Sequence, residues 1–350
     1  MSDRLCLIVN PAAGHGRSAT VLAQAEEVLA AAGAAYLIRT STSLAHAAVL
    51  ATEAAARGET VVSIGGDGLA GALAGAAASA DARYGLIPAG RGNDLAGAIG
   101  IPADPRAAAA VLLAGAERRI DLLGVGVPGH AESVVAGSVY IGIPAQTAEL
   151  ANAMGWLRGP LVYPIAAVRA LARWRPVTFS VALTGTGPTS TGPTSTGPTS
   201  TGPTSTGPTS TGPTSTGPTS TRFDGKEPTS TEFDGFAVVA ANASRFGGGM
   251  RVAPAARIDD GLLDLVVMRR AGRLTVLRAL AGIRSGRHLA LPQISTDRGT
   301  EVTLRASRDL TAAADGEPLA CASPLAAGTP LRVRVLPGAL RVLAPAPPGS

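Results

Sequence analysis

The sequence predicts an α/β N-terminal domain built on a parallel sheet, followed by a mostly antiparallel β C-terminal domain that carries a low-complexity insertion. Three observations lead there. Up to about residue 120, short β-branched runs alternate with alanine-rich helical stretches, a pattern that yields a parallel sheet covered by helices on both faces. Beyond residue 122 the alternation gives way to strands spaced as hairpins. Glycine-rich turns stand where apolar strands end, at the carboxyl edge where such sheets bind ligands.

Taken in order, strands are expected near 5–9, 35–39, 60–64, 84–88 and 118–122, with helices near 17–32, 43–57, 69–79, 93–99 and 104–115. These form a first domain over 1–122. Helices near 144–156, 160–174 and 273–285 then accompany strands near 176–183, 235–241, 262–268, 300–306, 308–313 and 329–335, giving a second domain over 123–337. Interrupting it at 185–231 is a segment that contains Thr-Gly-Pro-Thr-Ser seven times from Thr186 to Ser220. Proline blocks ladder hydrogen bonds and almost nothing apolar is available to bury, so this tract reads as a disordered insertion in a hairpin loop. A neutral expansion of a DNA repeat accounts for it more simply than a regulatory or glycosylated tract.

Composition excludes several chemistries. The 350 residues carry a net charge of +5, with Lys226 the only lysine. No G-x-x-x-x-G-K-[ST] loop exists, so a P-loop enzyme is excluded. Lys226 lies beside the repeat, a poor place for a Schiff-base lysine. Cys6 and Cys321 are too few for a disulfide framework, and His15, His46, His130 and His288 show no metal-ligand spacing. Aromatics at 3% leave no basic patch interleaved with them, so no nucleic-acid partner is expected. The first strand begins almost at Met1, and no apolar run reaches roughly 18 residues; a cytoplasmic protein is expected.

The chemistry concentrates in two turns. Ile64-Gly65-Gly66-Asp67-Gly68 follows the strand at 60–64, and Pro88-Ala89-Gly90-Arg91-Gly92-Asn93-Asp94 follows the strand at 84–88. Glycine lets backbone amides crowd against a ligand, and amides at a helix start cradle phosphate. A carboxylate in each cradle, Asp67 and Asp94, suits a site that also takes a divalent cation or a hydroxyl donor. A rival reading is available at Gly14-His15-Gly16-Arg17-Ser18-Ala19, which satisfies the dinucleotide pattern after a strand. A dehydrogenase would want an acid after the second strand, where Arg39-Thr40 stands instead. Asp67 and Asp94 could also serve as helix N-caps, and Asp315-Gly316 as a plain hairpin turn.

These segments together resemble the diacylglycerol kinase catalytic family, which includes bacterial lipid kinases and sphingosine kinases and is more distantly related to NAD kinases. The resemblance spans nearly the whole chain: Asn10-Pro11-Ala12-Ala13-Gly14, Gly65 to Gly68, Gly90 to Ala96, Arg119-Ile120-Asp121, Asn242 with Gly247 to Gly249 and Pro254, Asp259 to Asp264, and Asp315-Gly316-Glu317. It implies ATP and Mg²⁺ as cofactors. It implies nucleotide contacts from Asn10, Pro11, Gly14, Arg17, Gly65, Gly66, Asp67, Gly68, Gly90, Arg91, Gly92, Asn93 and Asp94. Asp67 would hold the metal through water, with Asp121 as a second candidate. Asp315 matches the catalytic base and Glu317 an accompanying acid. The last strand, near 338–344, is expected to return to the first domain. Relatives that bind a structural metal do so at an acidic loop like Asp259, Asp260 and Asp264, where a surface turn is the simpler reading.

Leu69 and Arg91 replace threonines of many relatives, and Ala72 replaces an acid, which keeps open an impaired, nucleotide-binding regulatory protein. The second-domain motifs favour a lipid acceptor over a soluble one, with diacylglycerol first. The segment Trp156 to Arg175 pairs apolar side chains with Arg158, Arg169, Arg173 and Arg175; it suits a membrane interface and equally a helix packed in the core. Peripheral association with a lipid surface is therefore expected, with a homodimer left open.

Overall fold

The computed structural model describes residues 4–10, 17–90, 92–114, 116–154, 162–175, 177–185, 230–319 and 324–345. Pro11, Gly14, Arg91, Cys321, the repeat and the Trp156 end of the basic segment lie outside the described residues.

The first domain runs β1 (Leu5–Val9), α1 (Arg17–Ala31), β2 (Tyr36–Thr40), α2 (Leu44–Ala56), β3 (Thr60–Gly65), α3 (Asp67–Ser79), β4 (Arg83–Pro88), α4 (Asp94–Ile99) and α5 (Pro105–Ala114). Its strands pair in parallel in the order β4-β3-β1-β2. β1 and β3 are buried along their whole length, which is why they read as continuous apolar runs: helices cover both faces. α2 begins at Ser43, whose Oγ accepts the His46 amide at 3.0 Å. α3 starts two residues earlier than the sequence suggests, at Asp67 itself.

β5 (Ala116–Gly126) closes the first domain and leads into the second, which comprises β6 (Ser133–Val135), β7 (Ser138–Gly142), α6 (Ile143–Ala153), α7 (Val162–Arg173), β8 (Val177–Thr184), β9 (Ser230–Ala241), β10 (Leu263–Arg269), α8 (Arg273–Gly282), β11 (Ile294–Gly299), β12 (Glu301–Ala306), β13 (Ala312–Ala314), β14 (Glu317–Pro318) and β15 (Leu331–Ala344). All pairings within it are antiparallel. β8 and β9 are direct neighbours, with Ala182 opposite Ser230, so the stretch between them links the ends of an antiparallel pair.

Several elements differ from expectation. β6, β7 and β11 form where no strand is expected, and only the end of the expected 308–313 strand becomes β13. The two strands expected near 329–335 and 338–344 are one, β15, interrupted by a register shift between Leu336 and Leu340. Pro337 and Gly338 occupy that shift; proline cannot donate to the ladder, so a bulge absorbs it. β15 pairs antiparallel with β12 and β5 and, at Arg341 and Val342, parallel with β4. One strand thereby stitches both domains into a continuous sheet. Each side has its own core, around Leu73, Tyr84 and Ile87 in the first and Phe179, Val238 and Leu304 in the second.

Candidate active site

The two glycine turns meet at the carboxyl ends of β3 and β4. Their backbones touch closely: a Cβ on Gly90 would lie 2.5 Å from the Gly66 Cα, so a side chain there would force the turns apart. Asn93 folds the second turn on itself. It adopts a left-handed φ of 53°, its Oδ1 accepts the Gly90 amide at 2.9 Å, and its Nδ2 donates to the Gly90 carbonyl at 3.1 Å.

Asp67 bridges the turns. Its Oδ1 accepts the Asp94 amide at 2.6 Å and its Oδ2 the Asn93 amide at 2.8 Å, so it caps α4 from another helix. Burial and the neighbouring Asp94 charge raise its pKa against the pull of those amides. Asp94 reaches onward into the second domain, where its carboxylate accepts the amides of Gly248 at 2.9 Å and Gly249 at 2.8 Å. The glycine run of the second domain thus binds an acid of the first.

Asp315 comes from the β13–β14 hairpin. Ala314 faces Glu317 across it, and Asp315 and Gly316 both have positive φ, 47° and 93°, the two-residue type I′ turn that Asp-Gly favours. The Asp315 carboxylate accepts the amides of Ala136 at 3.2 Å, Gly137 at 3.1 Å and Ser138 at 2.7 Å. The fit requires glycine at 137, because a Cβ there would overlap Asp315 Oδ1. Burial pushes the Asp315 carboxyl up to about 6; its amide donors oppose the shift and the Asp67 charge adds to it.

Asp67, Asp94 and Asp315 line one small cavity between the domains, with Gly71, Leu95, Ala136, Gly137, Ala243, Arg245 and Phe246. Residues 248 positions apart in the chain, Asp67 and Asp315, therefore face a common space. Among the described residues, no group of three or more histidine, cysteine or acidic side chains could hold a metal ion. A Mg²⁺ ion carried on phosphates needs only one or two protein carboxylates and keeps its waters. Asp67, in the first glycine turn and lining the cavity, is the residue that would hold such an ion.

Other candidates stand elsewhere. Asp121 is buried on β5; its Oδ1 accepts the Gly338 amide and its Oδ2 the Gly261 amide, each at 2.7 Å. It pins the β15 bulge and does not line the cavity. Glu317 is exposed on β14 and also outside the lining. Arg17 is exposed at the start of α1, and Asn10 is half-buried at the end of β1. Asp259 pairs with Arg118 and Arg257, and Arg298 bridges Asp260 and Asp264, so arginines balance the acidic loop. Leu69 is core: it is buried and packs over Gly65.

Sequence reasoning missed Arg245 and the amides of Ala136, Gly137 and Ser138. Arg245 lies inside the Asn242 to Gly249 segment that the resemblance flagged. The 136–138 turn carries no recognisable motif, and its role appears only when β7 is placed beside β13.

Comparison with known proteins finds relatives that match along nearly the whole chain. The family model described as "Diacylglycerol kinase catalytic domain" matches residues 4–125, and "YegS C-terminal NAD kinase beta sandwich-like domain" matches residues 137–344. A diacylglycerol kinase of Mycobacterium tuberculosis is 28% identical over 98% of this chain and 95% of its own. A probable YegS-like lipid kinase of Stenotrophomonas maltophilia is 28% identical over 82% of this chain and 79% of its own. The crystal structure of a putative diacylglycerol kinase from Bacillus anthracis superimposes with a TM-score of 0.69 at 17% identity, covering 98% of this chain and 95% of that one.

Proposed function

The chain belongs to the diacylglycerol kinase catalytic-domain family and is a lipid kinase, and from that premise we propose that it transfers the γ-phosphoryl group of ATP to the free hydroxyl of diacylglycerol, giving phosphatidic acid. The observation that carries this reading is the shared cavity of Asp67 and Asp315. Asp67 and the paired glycine turns form the nucleotide side, and Asp315 the acceptor side.

In this reading the lipid hydroxyl oxygen attacks the γ-phosphorus as the bond to the β-phosphate oxygen breaks, and ADP leaves with that electron pair. Asp315 takes the hydroxyl proton. Its pKa of about 6 leaves it ionised at neutral pH yet basic enough to accept a proton, and three amides fix its orientation. Asp67 orders the second glycine turn. Mg²⁺ held near Asp67 would neutralise phosphate charge.

The acceptor is met at a membrane surface. On α7, Ile165 and Val168 are exposed beside exposed Arg169 and Arg173, a combination of apolar and cationic groups suited to anionic lipid. Trp174 takes no part: it packs inward on Phe236, with Arg308 over its ring. Among the described residues no helix is long and apolar enough to cross a membrane.

Incubation with γ-labelled ATP and a panel of diacylglycerol, sphingoid base, monoacylglycerol and NAD tests the reading. Label in phosphatidic acid supports it; label in another product, or in none, overturns it.

A further inference from the structure

We infer that Arg245 is a cationic contact to the phosphoryl group in transfer, an assignment that rests on the kinase reading above. It is the one cation among the described residues lining the cavity of Asp67, Asp94 and Asp315. Its guanidinium crosses the domain boundary to lie over α4, with Nη1 3.8 Å from where a Cβ on Gly97 would stand.

An arginine beside three carboxylates would ordinarily be consumed by them. Here it is not, because backbone amides occupy each acid: Asn93 and Asp94 bind Asp67, Gly248 and Gly249 bind Asp94, and Ala136 to Ser138 bind Asp315. Arg245 is exposed and makes no ion pair with any described residue. The loop that carries it is anchored at both ends. On one side of it, Asn242 Nδ2 donates to the carbonyls of Asp121 and Ala136 at 2.8 Å each. On the other, Asp94 grips Gly248 and Gly249. Anchoring on both sides fixes the loop from which the guanidinium reaches the cavity.

Charge on the transferred phosphoryl group spreads over three oxygens, and a planar guanidinium matches two of them at once. Lysine is not available for the task from these loops, since Lys226, the only one in the chain, lies outside them.

The test compares Arg245→Met and Arg245→Lys with the parent protein. Turnover of the labelled-ATP reaction is expected to fall about 100-fold or more in Arg245→Met and to recover in part in Arg245→Lys, in line with loss of one transition-state donor. Affinity for the non-hydrolysable analogue AMP-PNP should fall at least tenfold while ADP affinity stays within twofold, a split that a merely structural role would not produce. Turnover within threefold of parent in Arg245→Met, or equal weakening of ADP and AMP-PNP, overturns the assignment. If the parent itself transfers no phosphate, the kinase reading fails, and the ADP and AMP-PNP comparison alone decides whether Arg245 contacts the terminal phosphate.

Discussion

Asp67 Oδ1 accepts the backbone amide of Asp94 at 2.6 Å, and the Asp94 side chain in turn accepts the amides of Gly248 and Gly249. Two carboxylates thus form a relay from the first glycine turn, through the second, to the loop of the other domain. Asp94→Ala leaves the two loop amides without their acceptor, at a cost of about 1–3 kcal/mol. Lower thermal stability and faster amide exchange at Gly248 and Gly249 are the expected results. Exchange rates equal to the parent's at those two positions would mean the relay does not hold the domains together.

In the proposed mechanism the pH dependence of catalysis follows from Asp315. Its carboxyl is raised to about 6, and only the ionised form can accept a proton. kcat/KM should therefore be flat above pH 7 and fall about tenfold per pH unit below pH 6. The profile is best taken with diacylglycerol in neutral vesicles, so that lipid ionisation does not contribute. A constant rate from pH 8 to pH 5 would contradict the assigned base.

Gly137 is the seat of that base. Adding a methyl group places it against Asp315 Oδ1, so Gly137→Ala must displace the carboxylate or the 136–138 turn. At least a tenfold loss of kcat is expected, with ATP affinity within twofold of parent because the nucleotide turns are untouched. Steady-state kinetics beside calorimetric titration separate the two. Unchanged kcat would show that the seat is not required.

Ala182 and Ser230 are cross-strand partners, so the repeat between β8 and β9 joins strands that already lie side by side. Loop length enters stability only logarithmically. Replacing residues 186–229 by a short glycine-containing turn should leave the melting temperature within about 2 °C and kinase turnover within twofold. A folded but inactive excision variant would give the repeat a functional role.

The sequence was most legible where periodicity alone decides. The β1 to α5 alternation appears in the residues because strands buried on both faces are continuously apolar, as in Leu5–Val9. Legibility failed where tertiary pairing overrides local signals. Ala136-Gly137 breaks the run that becomes β6 and β7, and Pro337-Gly338 splits β15 into two apparent strands. At the site, the glycine turns marked Asp67 and Asp94 because their spacing is local. The seat of Asp315 on residues 136–138, some 178 residues away, has no local spacing to betray it. Asp121 shows the converse: a buried acid whose partners, Gly261 and Gly338, are visible only in three dimensions.

The most direct measurement is single-turnover phosphoryl transfer by Asp315→Asn, read beside its ATP affinity. Asparagine matches the carboxylate in size and keeps one acceptor oxygen for the amides of residues 136–138, and the glycine turns do not contact Asp315. Transfer to diacylglycerol should drop below detection while ATP binds within twofold of parent. Transfer at the parental rate with ATP bound would contradict the placement of the base, and with it the pairing of Asp67 and Asp315 across one reaction site.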